Sequence, residues 1–191
     1  MILFFDTETT GRPLNYKAPV TDAKNWPRMV QLAWVQTDKE GNILQEGNHI
    51  IKPDGFTIPK DVVKIHGIST EIALEKGEDL KTILAQFETQ LQANKLVVAH
   101  NIEFDDSIIR AEYHRFAMPT VLPQKKQFCT MKSKNIINYC ALTGSYGFKW
   151  PALSELHRKL FKEDFGDAHN ALNDVKATAK CYWKLKELGV I

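Results

Sequence analysis

The apolar positions of this chain change their period along its length, and each change predicts an element. Residues 2–8 begin with ILFF, a solid apolar run of the kind found in strands buried on both faces, and end in DTE. Met29–Thr37 (MVQLAWVQT) alternates in part and is rich in Val, Leu and Trp, which predicts a second strand. DKEGN at 38–42 reads as a turn, so residues 43–51 predict a third strand, hairpin-paired with the second. The period then becomes helical. Lys60–His66 and residues 70–74 read as short helices broken by Gly67 and Gly77. Residues 79–93 put Leu80, Ile83, Leu84, Phe87 and Leu91 on one stripe, with Asp79 as the capping residue. Leu96–Ala99 (LVVA) predicts a fourth, buried strand. Helices are predicted over 104–116, 131–141, 152–161 and 170–188; Trp150-Pro151 introduces the third of these and Gly189 follows the last. Strands first, then helices alternating with strands, describe a mixed α/β fold.

The 191 residues predict one domain over 1–191, with no repeat or linker. Apolar residues at 43% and charged residues at 25% exclude disordered and fibrous classes. No apolar run approaches the roughly 20 residues of a membrane span, and the first residues lack a signal-peptide pattern. A cytoplasmic protein with no membrane partner is therefore expected. Cys129, Cys140 and Cys181 are odd in number and widely spaced, which predicts three reduced thiols rather than a disulfide or zinc framework. The net charge of +2 conceals an asymmetry: residues 1–120 carry −4 and residues 121–191 carry +6. A basic half suits an anionic partner such as nucleic acid. Lys125, Lys126, Lys132 and Lys134 are candidates to guide a phosphate backbone, or else form a solvated helix face. Residues 12–27, with three prolines, predict a surface loop just after the first strand.

Asp6 and Glu8 carry the most information. They end an apolar strand two positions apart, and period-2 geometry sends both side chains to one face. Neighbouring carboxylates at the edge of a core repel one another and lose hydration, and a cation between them removes both penalties. A second acidic group, Glu103, Asp105 and Asp106, follows the LVVA strand, at the end of a sheet strand where α/β folds place their sites. A third pairs His169 with Asp174 at i, i+5. On one helix these would point about 140° apart, so they share a site only if His169 precedes the helix. Carboxylate oxygens suit Mg²⁺ or Mn²⁺ rather than zinc. Two such ions can stabilise the attacking and leaving oxygens of a phosphoryl displacement, leaving the histidine as general base.

Asp6-Thr7-Glu8-Thr9-Thr10-Gly11, Asn101-Ile102-Glu103-Phe104-Asp105 and His169–Asp174 together resemble, in order, the three motifs of the DnaQ-like (DEDDh) 3′–5′ exonucleases. Ile65-His66-Gly67-Ile68 is a smaller echo, and the resemblance runs from residue 2 to about 185. It implies an RNase H-like fold, a five-stranded mixed sheet flanked by helices with the first strand central. It also implies Asp6, Glu8, Asp105 and Asp174 as ligands of two divalent ions, Mg²⁺ or Mn²⁺, and His169 as general base. By the same resemblance Thr9, Thr10 and Gly11 hold the 3′-terminal nucleotide, Ile65 and His66 touch the terminal bases, and Asn101 and Phe104 meet the strand near the scissile phosphate. The implied reaction is release of nucleoside monophosphates from a free 3′ end, with single-stranded or mismatched DNA expected, as in proofreading or repair. Two alternatives stand beside it: trimming of RNA 3′ ends by the same chemistry, and a nuclease fold that serves mainly as a binding subunit of a DNA polymerase.

Overall fold

Leu3, Phe4 and Phe5 are all fully buried, as a strand covered on both faces requires. The computed structural model describes residues 1–166 and 170–191, and in it this run belongs to β1 (Ile2–Thr9). β2 (Met29–Thr37) and β3 (Ile43–Ile50) follow. Next come α1 (Lys60–His66), α2 (Thr70–Lys76), α3 (Leu80–Ala93), β4 (Leu96–Ala99), α4 (Ile102–Arg115) and β5 (Lys126–Cys129). α5 (Lys134–Cys140), the short pair β6 (Thr143–Gly144) and β7 (Gly147–Phe148), α6 (Leu153–Phe161) and α7 (Ala171–Glu187) complete the chain.

The main sheet has the order β3-β2-β1-β4-β5, with β1 in the middle. β1 runs antiparallel to β2 and parallel to β4, and β5 is parallel to β4, so the sheet is mixed. Alternation along β1 decides what each face holds. Leu3 and Phe5 join the layer with Leu84 and Phe87 of α3 and Ile108 and Ile109 of α4. Phe4 points the other way, into the layer with Val175 and Tyr182 of α7. Asp6 and Glu8 share the parity of Phe4 and so face α7, while Thr7 shares the parity of Phe5 and faces α4. The register slips between Glu8 and Thr9, where Thr9 pairs with Met29. That slip returns Met29 to the same layer as Leu32 and Trp34.

The hairpin and the amphipathic α3 match the sequence pattern. Asp38 closes the turn by accepting the N–H groups of Glu40 (2.9 Å) and Asn42 (2.8 Å). Asp79 caps α3 by accepting the N–H of Thr82 at 2.8 Å. Gly47 on β3 has no room for a side chain, since a Cβ there would lie 2.3 Å from the Trp34 ring.

One strand goes unpredicted by the pattern, and two expectations need correction. The fifth strand is β5, four residues that begin with lysine and pair only with β4, which is too short and polar to show a periodicity. The helix expected over 131–141 begins only at Lys134, because Thr130 bonds back to Ala99 O and Lys132 N–H to Cys129 Sγ. The four candidate lysines therefore share no helix face: Lys126 lies on β5, Lys134 starts α5, and Lys132 pairs with Glu103.

The 12–27 segment is a surface loop with its own internal structure. Asn15 N–H donates to Asn25 Oδ1 (2.7 Å) and Asn25 Nδ2 to Asn15 O (3.0 Å). Trp26 is buried, and its Nε1 donates to Pro19 O at 3.1 Å. Arg115 ties the segment to α4 by donating to Ala23 O and Trp26 O. Behind it Glu112, wholly buried, pairs with Arg28 (3.0 Å) and Arg115 (2.9 Å) and accepts the N–H of Met29 (3.0 Å). No helix of the described residues is long and apolar enough to cross a membrane.

Candidate active site

Three polypeptide segments deliver carboxylates to the C-terminal end of β1. Asp6 and Glu8 project toward α7, and Asp174 sits on the first turn of that helix. Carboxylate oxygens of Asp6, Glu8 and Asp174 lie within 4.8 Å of one another. α7 is held at this height by its start. Asn170 caps it by accepting the N–H of Leu172 (3.1 Å) and of Asn173 (3.4 Å), and Ala171 N–H donates to Gln31 Oε1 at 3.3 Å. Gln31 is the β2 partner of Glu8 and is itself steadied by Asn48, to which its Nε2 donates at 2.7 Å.

Asp105 arrives from the opposite face. Its Oδ1 accepts both the backbone N–H (3.0 Å) and the hydroxyl (2.7 Å) of Thr7. Of the three acids of that segment, only Asp105 is bonded to β1. Asp106 turns to Arg110 (3.1 Å) and Gln127 (2.9 Å), and Glu103 is exposed and paired with Lys132. α4 begins so close to the end of β4 that its N-cap, Asn101, adopts a left-handed conformation with φ 74°. Asparagine tolerates that region better than most side chains do.

The electrostatics match the crowding. Loss of hydration, then the charges of Asp105, Asp174 and Glu8, raises the Asp6 carboxyl well above the usual range. Glu8 is pushed up to about 8 by loss of hydration and by Asp174 and Asp105. Asp105 rises to about 7 because burial outweighs the two Thr7 bonds that favour its anion. Among the described residues, no cationic side chain is a cause at these three groups. A divalent cation would offset this crowding of negative charge, and an all-carboxylate donor set suits a hard ion.

The other expected residues are placed as follows. Thr9 turns its hydroxyl inward to Gly11 O (2.7 Å), and Thr10 Oγ1 accepts the N–H of Arg28 (3.0 Å). Both side chains therefore shape the turn, and Gly11, at φ 151°, extends it. On α1, His66 is buried with Nδ1 accepting the Ile68 N–H at 3.1 Å, while Ile65 is exposed. Phe104 is half-buried beside Asn101 at the start of α4. His169 lies outside the described residues, as do Asp167 and Ala168; α7 itself begins at Ala171, after the histidine.

Sequence reasoning passed over Thr7, Gln31 and His100. The signal for Thr7 was a polar residue between two acids, and for Gln31 a polar residue inside an apolar strand. His100 is more hidden: it is half-buried at the end of β4, and both ring nitrogens are engaged. Nδ1 is 2.9 Å from Thr130 Oγ1, and Nε2 is 3.1 Å from Pro151 O. A carbonyl only accepts, so Nε2 carries the proton and Nδ1 accepts from Thr130. Burial pushes this imidazole down to about 4, which keeps it neutral at physiological pH.

Comparison with known proteins agrees with this architecture. A 185-residue stretch is 27% identical to a PolC-type DNA polymerase III of Listeria innocua, covering 95% of this chain and 11% of that one. A PolC-type DNA polymerase III of Streptococcus sanguinis is 28% identical over 118 residues, which are 62% of this chain and 7% of the polymerase. This chain thus spans about a tenth or less of those relatives. Among solved structures, E. coli exonuclease I in complex with a dA16 oligonucleotide superposes with a TM-score of 0.77 at 24% identity, over 97% of this chain and 40% of that one. Exonuclease I from Methylocaldum szegediense gives 0.75 at 22% identity, with 97% and 40% covered. These likenesses show a shared fold. The RNase T exonuclease family matches residues 3–182, nearly the whole chain, and this protein belongs to that DnaQ-like family of the RNase H-like superfamily.

Proposed function

We propose that residues 1–191 act as one 3′–5′ exonuclease domain that hydrolyses the terminal phosphodiester of unpaired DNA and releases nucleoside monophosphates. The observation that carries this reading is the convergence of Asp6, Glu8 and Asp174 within 4.8 Å, with Asp105 reaching the same strand end from the other face. The four carboxylates are the ligands for two divalent ions, Mg²⁺ or Mn²⁺. Bound there, such ions offset the charge that develops on the attacking and leaving oxygens.

The chain's own residues do the rest. Thr7 fixes the rotamer of Asp105, and Gln31 and Asn170 hold α7 so that Asp174 meets Asp6. His169 serves as general base: it takes a proton from the attacking water as the water oxygen bonds to phosphorus and the P–O3′ bond breaks, leaving a 5′-phosphate on the released nucleotide, while the leaving 3′ oxygen takes a proton from solvent and becomes the 3′-hydroxyl of the shortened strand. Backbone groups of Thr9 to Gly11 hold the terminal nucleotide, with Ile65, His66, Asn101 and Phe104 along the strand. DNA is favoured because the similar proteins include DNA polymerases III and an exonuclease I solved with a DNA oligonucleotide, and the former support proofreading beside a polymerase. Three free thiols, two of them buried, suit a reducing cytoplasm.

The test is a panel of single-stranded, mismatched and duplex DNA beside RNA, in Mg²⁺ and in Mn²⁺. Stepwise shortening of labelled single-stranded DNA from its 3′ end is expected. Faster RNA trimming transfers the activity to RNA, and no turnover with either metal overturns the reading.

A further inference from the structure

A second feature lies one helical turn from the carboxylates and has no part in holding metal. The first turns of α4, which carry Asp105, also carry Asn101, Phe104 and Ser107 along one side of a cleft of about 610 Å³. This lies within the roughly 300–1,000 Å³ range of ligand-binding clefts. Tyr16, from the 12–27 loop, and Trp150, from the segment after β7, also line it. Both are conspicuously open for large aromatic side chains, with 60% of Tyr16 and 57% of Trp150 exposed.

Neither wall hangs on a loose segment. The backbone at Asn15 is locked to Asn25 by a reciprocal pair of bonds, and Arg115 grips Ala23 O and Trp26 O beneath it. On the other side Lys149 N–H donates to Leu142 O (2.9 Å), Ala152 N–H to Glu155 Oε2 (2.9 Å), and His100 Nε2–H to Pro151 O (3.1 Å). Trp150 thus stands between backbone groups that are tied down on both sides. The Lys132 ammonium lies 5.0 Å from the centre of the Trp150 ring and is paired with Glu103. Exposed aromatic rings on braced backbone, with the Lys132 ammonium over one face of Trp150, match the way proteins hold unpaired bases by stacking and cation–π contact.

We propose that this cleft is a stacking slot for one unpaired base of the strand, upstream of the scissile phosphate, with Trp150 and Tyr16 as its walls and Lys132 beside the adjoining phosphate. The slot deepens the nuclease reading and rests on it for the direction of the strand. It makes unpaired DNA the preferred substrate, because a base held in a complementary strand cannot enter between the two rings. His100 is a positioning residue here, acting through Pro151.

The experiment uses the full chain with Ca²⁺ and a 5′-labelled phosphorothioate oligothymidylate, so that binding is read without cleavage. Abasic nucleotides are walked one at a time from the 3′ end. In the unaltered protein one upstream position should stand out, losing about 5- to 100-fold in affinity when its base is removed. Trp150→Ala should cost a similar factor on the intact strand and nothing further when that same base is missing. Trp150→Phe should restore most of the binding and the positional effect. Tyr16→Ala should repeat the pattern more weakly, and a melting curve checks that each variant is folded. Losses that simply multiply at every position, or no position that stands out, overturn the slot. Absence of binding by the unaltered protein overturns it too. Hydrolysis of ordinary oligothymidylate in Mn²⁺ is measured separately: binding with the expected pattern but no hydrolysis keeps the slot and overturns only the nuclease reading.

Discussion

Two groups of buried acids in this protein lie on α4 or against it, and they are built on opposite principles. Glu112, wholly buried, is met by two guanidinium groups and a backbone N–H, all converging on Oε1. Asp6, Glu8 and Asp105 gather with Asp174, are pushed upward by burial and by one another's charge, and have no cationic side chain of the described residues among the causes. The first arrangement carries its own countercharge, although Oε2 is buried without a hydrogen-bond partner among the described residues, and it fastens the 12–27 loop to the helix. The second crowds like charges together at one strand end, an arrangement that a cation would relieve. A buried acid by itself indicates neither structure nor chemistry; the presence or lack of a countercharge tells the two apart.

That contrast breaks first under mutation of the carboxylates. Asp6→Ala or Asp174→Ala should abolish hydrolysis in Mg²⁺ and Mn²⁺, measured on labelled single-stranded DNA, while the protein remains folded by circular dichroism. His169→Ala should lose about 10²- to 10⁴-fold in rate while calorimetry still shows metal binding. A rate equal to that of the unaltered enzyme refutes the general-base role.

Glu112 should behave in the reverse sense. Glu112→Ala leaves Arg28 and Arg115 facing each other beneath the loop and should cost about 3–5 kcal/mol of stability in urea unfolding. At roughly 2–4 °C per kcal/mol for a chain of this size, the melting temperature should drop visibly. In metal-free protein at pH 8, Asp6→Asn should instead raise it, since the substitution removes one of the crowded charges.

The smallest effect concerns pH. Well below the ordinary carboxylate range, near pH 4, these groups are protonated whether the chain is folded or not. Between that range and about 8 the folded protein keeps protons on Glu8 and Asp105 that the unfolded chain releases. Unfolding free energy therefore falls as pH rises through this window. In EDTA the melting temperature should decline from pH 5 to pH 8, and Mn²⁺ should flatten the slope. An identical slope with and without metal argues against ligation by these carboxylates.

The sequence by itself determined the parts whose cause is local. β2, β4 and α3 are legible because apolar period and capping chemistry act within a few residues, and Asp6 with Glu8 is legible because two acids closing an apolar strand are anomalous wherever the chain folds. The tertiary structure decided the rest. It turned Asp105, rather than Glu103 or Asp106, toward β1 through the hydroxyl of Thr7, 98 residues away. It made a strand of the polar run at Lys126–Cys129 because β4 offered an open edge. It brought a proline-bearing loop and a Trp-Pro step to one cleft, braced through Arg115 and His100, which sequence spacing does not connect to them. Periodicity shows which face of an element is buried; which distant group that face meets depends on how the layers pack.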